Sequence, residues 1–163
     1  MVKALIAYDT KYGNTQRVAE LIAEGLQEAG VEVSVENMKN VDYNTVSGYD
    51  AILMGSPNHI RRPTRRFKKF VGKLRKLGLK DKTLVAFDTY SVGKEDETTV
   101  LQPGGSQYQV TLLKMESHIK GKMPHHKLLT PGLSIAVKGM EGPILSVELP
   151  KCKRFGKTIA SKL

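Results

Sequence analysis

The chain has no tryptophan, a single cysteine and no long hydrophobic run. Cys152 cannot form an internal disulfide, which points to a reducing compartment. No charged-then-apolar leader of the secretory type is present, and no apolar run approaches about 18 residues, so the sequence favours neither export nor a membrane span. We therefore expect a cytoplasmic protein without a membrane segment.

The length indicates one domain. With 163 residues the chain is of ordinary domain size, large enough to bury about 70% of its unfolded surface without disulfide staples. Neither an internal repeat nor a linker interrupts it. We expect one domain spanning residues 1–163.

The charge is unbalanced, with 26 basic and 16 acidic side chains. Eleven of the bases fall within residues 61–82, against one acid, Asp81. Such a surface attracts acidic partners. Nucleic acid is a weaker alternative, because the phenylalanines of this stretch fall on its apolar face and no recognised binding motif accompanies the bases.

Strand and helix patterns alternate from end to end, which is typical of a parallel sheet covered on both faces. Strands are predicted at residues 2–8, 31–36, 51–55, 83–87 (or slightly longer) and 133–137, the second of them at an edge because it alternates strictly. Helices are predicted at residues 15–29, 64–77, about 107–120 and 148–163, with a short one near 44–47. Phe67, Phe70, Val71 and Leu74 should face inward in the second long helix, and Val110, Leu113 and His118 in the third.

The segment between the first strand and helix is rich in hydroxyl groups. It runs from Asp9 to Thr15 and ends at a helix start, which offers unpaired N–H groups and the positive end of the dipole. Only Gly13 stands where Walker and dinucleotide loops need several glycines. The pattern therefore favours a monophosphate, of which FMN is the usual source, over a plain helix cap with a turn.

These residues carry a resemblance. Thr10-Lys-Tyr-Gly-Asn-Thr15 resembles the phosphate loop of flavodoxins, and Tyr12 in its third place is closest to archaeal flavodoxins and the flavodoxin domains of flavodiiron proteins. Residues 50–57 and 83–90 are similar to the third and fourth strands of that family, so the likeness covers nearly the whole chain. It implies an α/β, flavodoxin-like three-layer sandwich with a five-stranded parallel sheet in order 2-1-3-4-5, and FMN as cofactor.

In this order the switch point lies between strands one and three, and a ligand sits above the carboxyl ends of the strands. Three loops should meet there, at residues 9–15, 56–62 and 89–93 or beyond. The predicted cofactor-binding residues are Thr10, Lys11, Tyr12, Gly13, Asn14, Thr15, Ser56, Pro57, Asn58, His59, Ile60, Thr89, Tyr90, Ser91 and Gly93.

The resemblance assigns roles within this set. The hydroxyls and backbone of the first loop hold the phosphate, Asn58 and its neighbours satisfy the polar edge of the flavin, and His59 or Ile60 covers one face. Tyr90 stacks on the flavin ring. Tyr108 is a weaker candidate for this stacking. The alternative for Tyr90 is that it is a half-buried residue at the end of a strand. The alternative interpretation of the second loop is a plain turn set by Pro57. The loop also lacks the tryptophan that is common there in flavodoxins.

Other reactive side chains receive structural roles. The spacing of His118, His125 and His126 matches no zinc pattern, so no metal is predicted. Cys152 lies among basic residues that would lower its pKa, but a packing role fits its helical position better.

No acid, base or nucleophile constellation is evident, so any chemistry belongs to the cofactor. We predict an FMN-binding carrier of one or two electrons, monomeric or homodimeric, serving acidic redox partners such as a ferredoxin-like protein or a flavoenzyme. The alternative is an FMN-dependent NAD(P)H quinone or small-molecule reductase, with residues 91–107 closing a pocket. A basic rim containing Arg61, Arg62 and Arg65 should make the carrier a weaker reductant than acidic flavodoxins.

Overall fold

A computed structural model describes residues 1–92 and 110–163. The strands are β1 (Lys3–Tyr8), β2 (Glu32–Asn37), β3 (Ala51–Pro57), β4 (Thr83–Val92), β5 (Lys127–Leu128) and β6 (Leu133–Lys138). The α-helices are α1 (Asn14–Glu28), α2 (Arg65–Lys76), α3 (Val110–Lys122) and α4 (Leu149–Ala160), and short 3-10 turns lie at Met38–Asn40, Val46–Gly48 and Ser146–Glu148. None of the helices described is long and apolar enough to cross a bilayer.

All strand pairs are parallel, in the order β2-β1-β3-β4, and both β5 and β6 pair with β4. The fifth position is thus shared by two strands: β5 pairs with the start of β4 and β6 with its residues 87–92. The predicted order 2-1-3-4-5 is confirmed, and β2 lies at the edge as its alternation predicted.

The sheet separates two apolar cores, as the period of two along a strand requires. Ala4 and Ile6 of β1 face a core built with α1 and α4, whereas Leu5 and Ala7 face one built with α2 and α3. Helices therefore cover both faces, giving the predicted three layers.

Helix α2 follows its sequence pattern closely. Thr64 caps it, with its hydroxyl accepting from the backbone N–H of Phe67, and the four apolar side chains predicted to face inward are buried. The prediction for α3 was partly wrong: Leu113 is 61% exposed, while Leu112, Met115 and Ile119 are buried. The inner face of α3 also carries Thr111 and Glu116, and these polar residues obscure its apolar period.

Strand β4 is longer than predicted. It continues through Val92 because residues 87–92 pair with β6, so residues 88–92 form strand where a loop was expected. Strand β3 likewise includes Ser56 and Pro57. Gly93, Tyr108 and most of the predicted loop at 91–107 lie outside the described residues.

Candidate functional site

A cleft of about 460 Å³ opens at the carboxyl ends of β1, β3 and β4. Its volume is within the range of small-molecule sites, and its place is the one expected for a ligand of this topology. The cleft is lined by Asp9, Thr10, Lys11, Tyr12, Asn14, Thr15, Lys39, Pro57, Asn58, His59, Thr64, Arg65, Arg66, Thr89, Tyr90, Ser91, Val137 and Met140.

The loop between β1 and α1 forms one wall. Gly13 has φ 92°, a left-handed conformation that glycine adopts without strain, and its N–H donates to Thr10 Oγ1 over 2.9 Å. The backbone N–H of Arg17 is the first to find an acceptor across the helix start, the carbonyl of Gly13 at 3.0 Å. The N–H groups of residues 14–16 thus have no acceptor in the described part of the chain, and they lie at the positive end of α1, where an anion can bind.

The segment after β6 holds this loop in place. Asn14 Nδ2 donates to the carbonyl of Glu141 over 3.1 Å. A Cβ at Gly142 would lie 2.6 Å from the Asn14 side chain, so the two segments are in tight contact. Asn14 thus carries a structural contact in addition to any role toward a ligand.

Two threonines meet inside the cleft. The hydroxyl oxygens of Thr15 and Thr89 lie 3.0 Å apart, and both residues are buried. One of the two hydroxyls donates to the other, so one hydrogen stays free to point at a ligand. This contact joins the first turn of α1 to β4.

Asn58 presents an unpaired acceptor. Its backbone N–H donates to the carbonyl of Thr89 over 2.8 Å, which fixes the residue beside β4. Its Oδ1 is buried and has no hydrogen-bond partner within residues 1–92 and 110–163. A buried polar atom without a partner is costly, so this oxygen calls for a ligand donor such as an N–H group.

The tip of the second loop lies outside the cleft lining. His59 and Arg62 exchange backbone hydrogen bonds of 2.8 and 3.1 Å around a tight turn in which Ile60 and Arg61 have φ 51° and 59°. Positive φ is strained for a β-branched residue. Ile60 is 83% exposed and does not line the cleft, whereas His59 does.

Ser56 also lies away from the cleft lining. It is fully buried, and its hydroxyl accepts from the backbone N–H of Thr64 over 3.0 Å while donating to the carbonyl of Pro57. Ser56 therefore connects β3 to the cap of α2. Tyr90 lines the cleft from within β4 and is only 7% exposed, with Val92, Ala136 and Leu145 around it.

The charge around the cleft is mostly positive. Lys11, Lys39, Arg65 and Arg66 line it, and Asp9 is the one carboxylate in its described lining. Arg66 Nε lies 3.5 Å from Asp9 Oδ1, which joins α2 to the first loop. Arg65 occupies the rim as predicted, while Arg61 and Arg62 are exposed outside the lining.

A buried acid lies next to Thr89. Asp88 is fully buried, and burial raises its pKa to about 7, with the Glu116 carboxylate adding repulsion and the nearby Ser134 hydroxyl offsetting part of the shift. Among the residues that the structure describes, neither carboxyl oxygen of Asp88, nor Ser134 Oγ, makes a hydrogen bond of good geometry. Glu116 accepts from the N–H of Gly132 over 2.9 Å, and burial raises its pKa as well.

The remaining predicted structural residues lie apart from the cleft. His118 contacts the Phe67 ring, and His126 Nδ1 accepts from the backbone N–H of Lys82 over 3.1 Å. In residues 1–92 and 110–163 no group of three or more His, Cys, Asp or Glu side chains could hold a metal. Cys152 is buried, and burial together with Glu148 raises its pKa to about 12, so it packs rather than reacts.

The structure thus brings most of the predicted residues to one cleft. Gly13, Ser56 and Ile60 are not among its lining, and Gly93 lies outside the described residues. Sequence reasoning missed Lys39, Thr64, Arg66, Val137 and Met140. Each lies in or next to the end of an element at the same edge of the sheet, and that position is the only signal that could have found them.

Comparison with known proteins identifies relatives. A flavodoxin domain family model matches residues 5–132. A flavodoxin from Clostridium saccharobutylicum is 33% identical over 89 residues, which is 54% of this chain and 56% of that protein. An NAD(P)H dehydrogenase (quinone) from Sinorhizobium fredii is 27% identical over 165 residues, or 87% of this chain and 76% of that protein. The chain thus spans little more than half the length of the first of these relatives.

Solved structures share the fold. A flavodoxin from the domain Archaea superposes with TM-score 0.76 and 23% identity, covering 99% of this chain and 98% of that one. The rubredoxin oxygen:oxidoreductase from Desulfovibrio gigas superposes with TM-score 0.70 and 18% identity, covering 98% of this chain and 35% of that one. At these identities the likeness concerns the fold, and it agrees with the resemblance seen in the sequence.

Proposed function

The chain belongs to the flavodoxin domain family, and from that premise we propose that it binds FMN and carries electrons between redox proteins. The observation that carries the proposal is the presence of two features in one cleft: helix N–H groups at one end and Asn58 Oδ1 further along, none of which has a partner in the described part of the chain. The first suits a phosphate, and the second suits a ring N–H donor.

The phosphate end fits a monoester dianion. The N–H groups of residues 14–16 and the hydroxyl shared by Thr15 and Thr89 would donate to its oxygens. Lys11 lies nearby in the cleft lining and adds positive charge. The Thr10 hydroxyl accepts from Gly13 and keeps its own hydrogen for the ligand.

The ring end fits a flat heterocycle with an N–H on its polar edge. Asn58 Oδ1 would accept from that N–H and lose the cost of being buried without a partner. Tyr90 and His59 line the cleft and are the candidates for its aromatic walls. FMN, when bound, supplies the ring that takes up and releases electrons.

Positive charge at the cleft should raise the reduction potential of the bound flavin. Arg65, Arg66 and Lys39 at the cleft favour any state in which the bound group gains negative charge. The carrier should consequently be a weaker reductant than a flavodoxin whose flavin lies among acidic side chains. The same charge favours acidic redox proteins as partners. The proposal includes a cytoplasmic location for the protein.

The test is an FMN titration of the purified protein. Binding should quench flavin fluorescence and turn the protein yellow, with one FMN per chain, and riboflavin should bind more weakly because it lacks the phosphate. Failure of the wild-type protein to bind FMN, with its fold intact by circular dichroism, would contradict the proposal.

A second candidate is an FMN-dependent NAD(P)H quinone reductase, favoured by the relative from Sinorhizobium fredii that carries such a name. In this case NADPH mixed anaerobically with the holoprotein in a stopped-flow instrument should bleach the flavin rapidly. A carrier leaves the flavin oxidised under the same conditions. The bleaching rate therefore separates the two candidates.

A further inference from the structure

Helix α2 carries a row of cations along its outer side. Arg65, Lys68, Lys69, Arg75 and Lys76 are spaced three or four residues apart or in steps of seven, so they share one side of the helix. The row begins at Arg65, which lines the cleft. Twelve helical residues extend about 18 Å, so positive charge runs this far from the cleft mouth.

The far end of the row opens into a groove between α2 and α3. The groove measures about 540 Å³ and is lined by Lys68, Gly72, Arg75, Lys76, His118 and Lys122. Its described lining contains four cations and no carboxylate. Burial and the neighbouring Lys68 and Lys122 lower the pKa of His118, in keeping with a strongly positive environment.

These cations have no ionic partner among residues 1–92 and 110–163. On α2, only Arg66 forms an ion pair there, with Asp9. The sole carboxylate on α2 or α3 is that of Glu116, which is buried. The opposite face of the sheet differs, because Glu28 of α1 pairs with both Lys153 and Lys157 of α4.

Gly72 makes the groove deeper. Glycine within a helix costs roughly 0.5–1 kcal/mol relative to alanine, and here no close packing requires it, because a Cβ would meet nothing within 4 Å. The missing side chain lets another molecule approach the helix backbone between Lys68 and Lys76.

We propose that the groove between α2 and α3, continued by the cation row to Arg65, is the docking surface for a carboxylate-rich segment of an acidic redox protein. The partner's carboxylates lie above Gly72, between Lys68, Arg75, Lys76 and Lys122. The cation row orients the bound partner so that its redox centre lies at the cleft mouth. The inference rests on the proposed carrier function for the nature of the partner.

Two observations favour an acidic protein over nucleic acid. The row is continuous with the cleft through Arg65, and only a redox partner needs that connection. The aromatic residues of α2, Phe67 and Phe70, are buried in the core, which leaves this helix no aromatic surface for stacking bases.

The experiment measures binding of a fluorescein-labelled oligoglutamate peptide by anisotropy at about 150 mM salt. The double variant Lys68→Glu/Arg75→Glu should bind about tenfold more weakly or worse. Gly72→Leu changes no charge but fills the groove, and should bind about threefold more weakly. The matched control Arg154→Glu/Lys162→Glu makes the same charge change at exposed positions in and beyond α4 and should stay within about twofold of wild type.

Each outcome has a stated meaning. Equal losses in the groove and control doubles, or no loss in either, would overturn the proposal, because net charge alone or no site at all would explain them. Tighter binding of a DNA duplex than of the peptide, lost in the groove double, would overturn it in favour of nucleic acid. FMN affinity, measured on the same preparations, should be unchanged in the groove double. If FMN fails to bind wild type while the peptide pattern holds, the carrier function fails and with it the redox nature of the partner, whereas the groove stands as a site for a carboxylate-rich segment.

Discussion

The hydroxyl oxygens of Thr15 and Thr89 lie 3.0 Å apart at the point where the first turn of α1 meets β4. Both side chains are buried, although both line the cleft. The pair therefore has two functions to separate: it joins two elements of the fold, and it offers one hydroxyl hydrogen to a ligand.

Thr15→Val should lower FMN affinity about ten- to hundredfold, since a hydrogen bond to a charged group contributes about 1.5–3 kcal/mol. Riboflavin affinity should change little, because in the proposed binding mode the Thr15 hydroxyl serves the phosphate, which riboflavin lacks. Fluorescence quenching measures both constants. Thr15→Ser, which keeps the hydroxyl, is the control and should bind FMN nearly as wild type does. An equal loss for riboflavin and FMN would show that Thr15 does not serve the phosphate.

Asn58→Ala should weaken flavin binding without destabilising the apoprotein. It removes a buried Oδ1 that has no partner among the described residues, and it keeps the backbone hydrogen bond to Thr89. Urea unfolding of the apoprotein should therefore show no loss of stability and a gain of up to about 1 kcal/mol. Affinity for both FMN and riboflavin should fall about tenfold, because the acceptor serves the ring. A loss confined to FMN would place Asn58 at the phosphate instead.

Arg65→Gln should lower the reduction potential of the bound flavin. Arg65 lines the cleft, and one charge at its partly exposed rim contributes on the order of 1 kcal/mol to a nearby negative charge, or about 40 mV for one electron. Arg154→Gln removes an equal charge from an exposed position on α4 and should shift the potential by about 10 mV or less. Spectroelectrochemical titration compares the two, and equal shifts would contradict the expectation.

Local sequence patterns predicted the fold well where a single period dominates. Helix α2 follows its apolar residues because Phe67, Phe70 and their neighbours repeat at helical spacing without interruption. Leu113 of α3 was assigned to the wrong side because Thr111 and Glu116 occupy the inner face. The continuation of β4 from Asp88 through Val92 depends on its pairing with β6, a contact distant in sequence, so no local pattern predicts it.

The site was predictable to the extent that one segment builds it. The segment from Thr10 to Thr15 carries its own signal, because a strand, a hydroxyl-rich loop and a helix start adjoin in the sequence. Lys39 and Met140 follow strands distant in sequence and reach the cleft only through the order of the sheet. Ile60 illustrates the reverse case: its loop was located correctly, but a turn with positive φ directs this side chain into solvent.

Asp88 should make the folded state less stable as pH rises. Burial raises its pKa from 3.8 to about 7, so below about pH 4 the carboxyl is protonated in both folded and unfolded chains. Between about pH 4 and 7 only the folded chain keeps the proton, and stability falls with rising pH; above 7 the loss is complete, at most about 4 kcal/mol. The groups facing Asp88 are the Glu116 carboxyl from α3 and the Ser134 hydroxyl from β6.

Asp88→Asn removes this ionisation and should therefore be more stable than wild type at pH 8, with the difference shrinking toward zero as pH falls to about 4. Urea unfolding of both proteins across this range measures the difference directly. Glu24→Gln, which removes an exposed carboxylate from α1, should show no comparable trend. The sign of this difference depends on Asp88 being neutral in the folded state. If the stability of Asp88→Asn relative to wild type instead falls between pH 5 and pH 8, the carboxylate is ionised and stabilised in the folded protein.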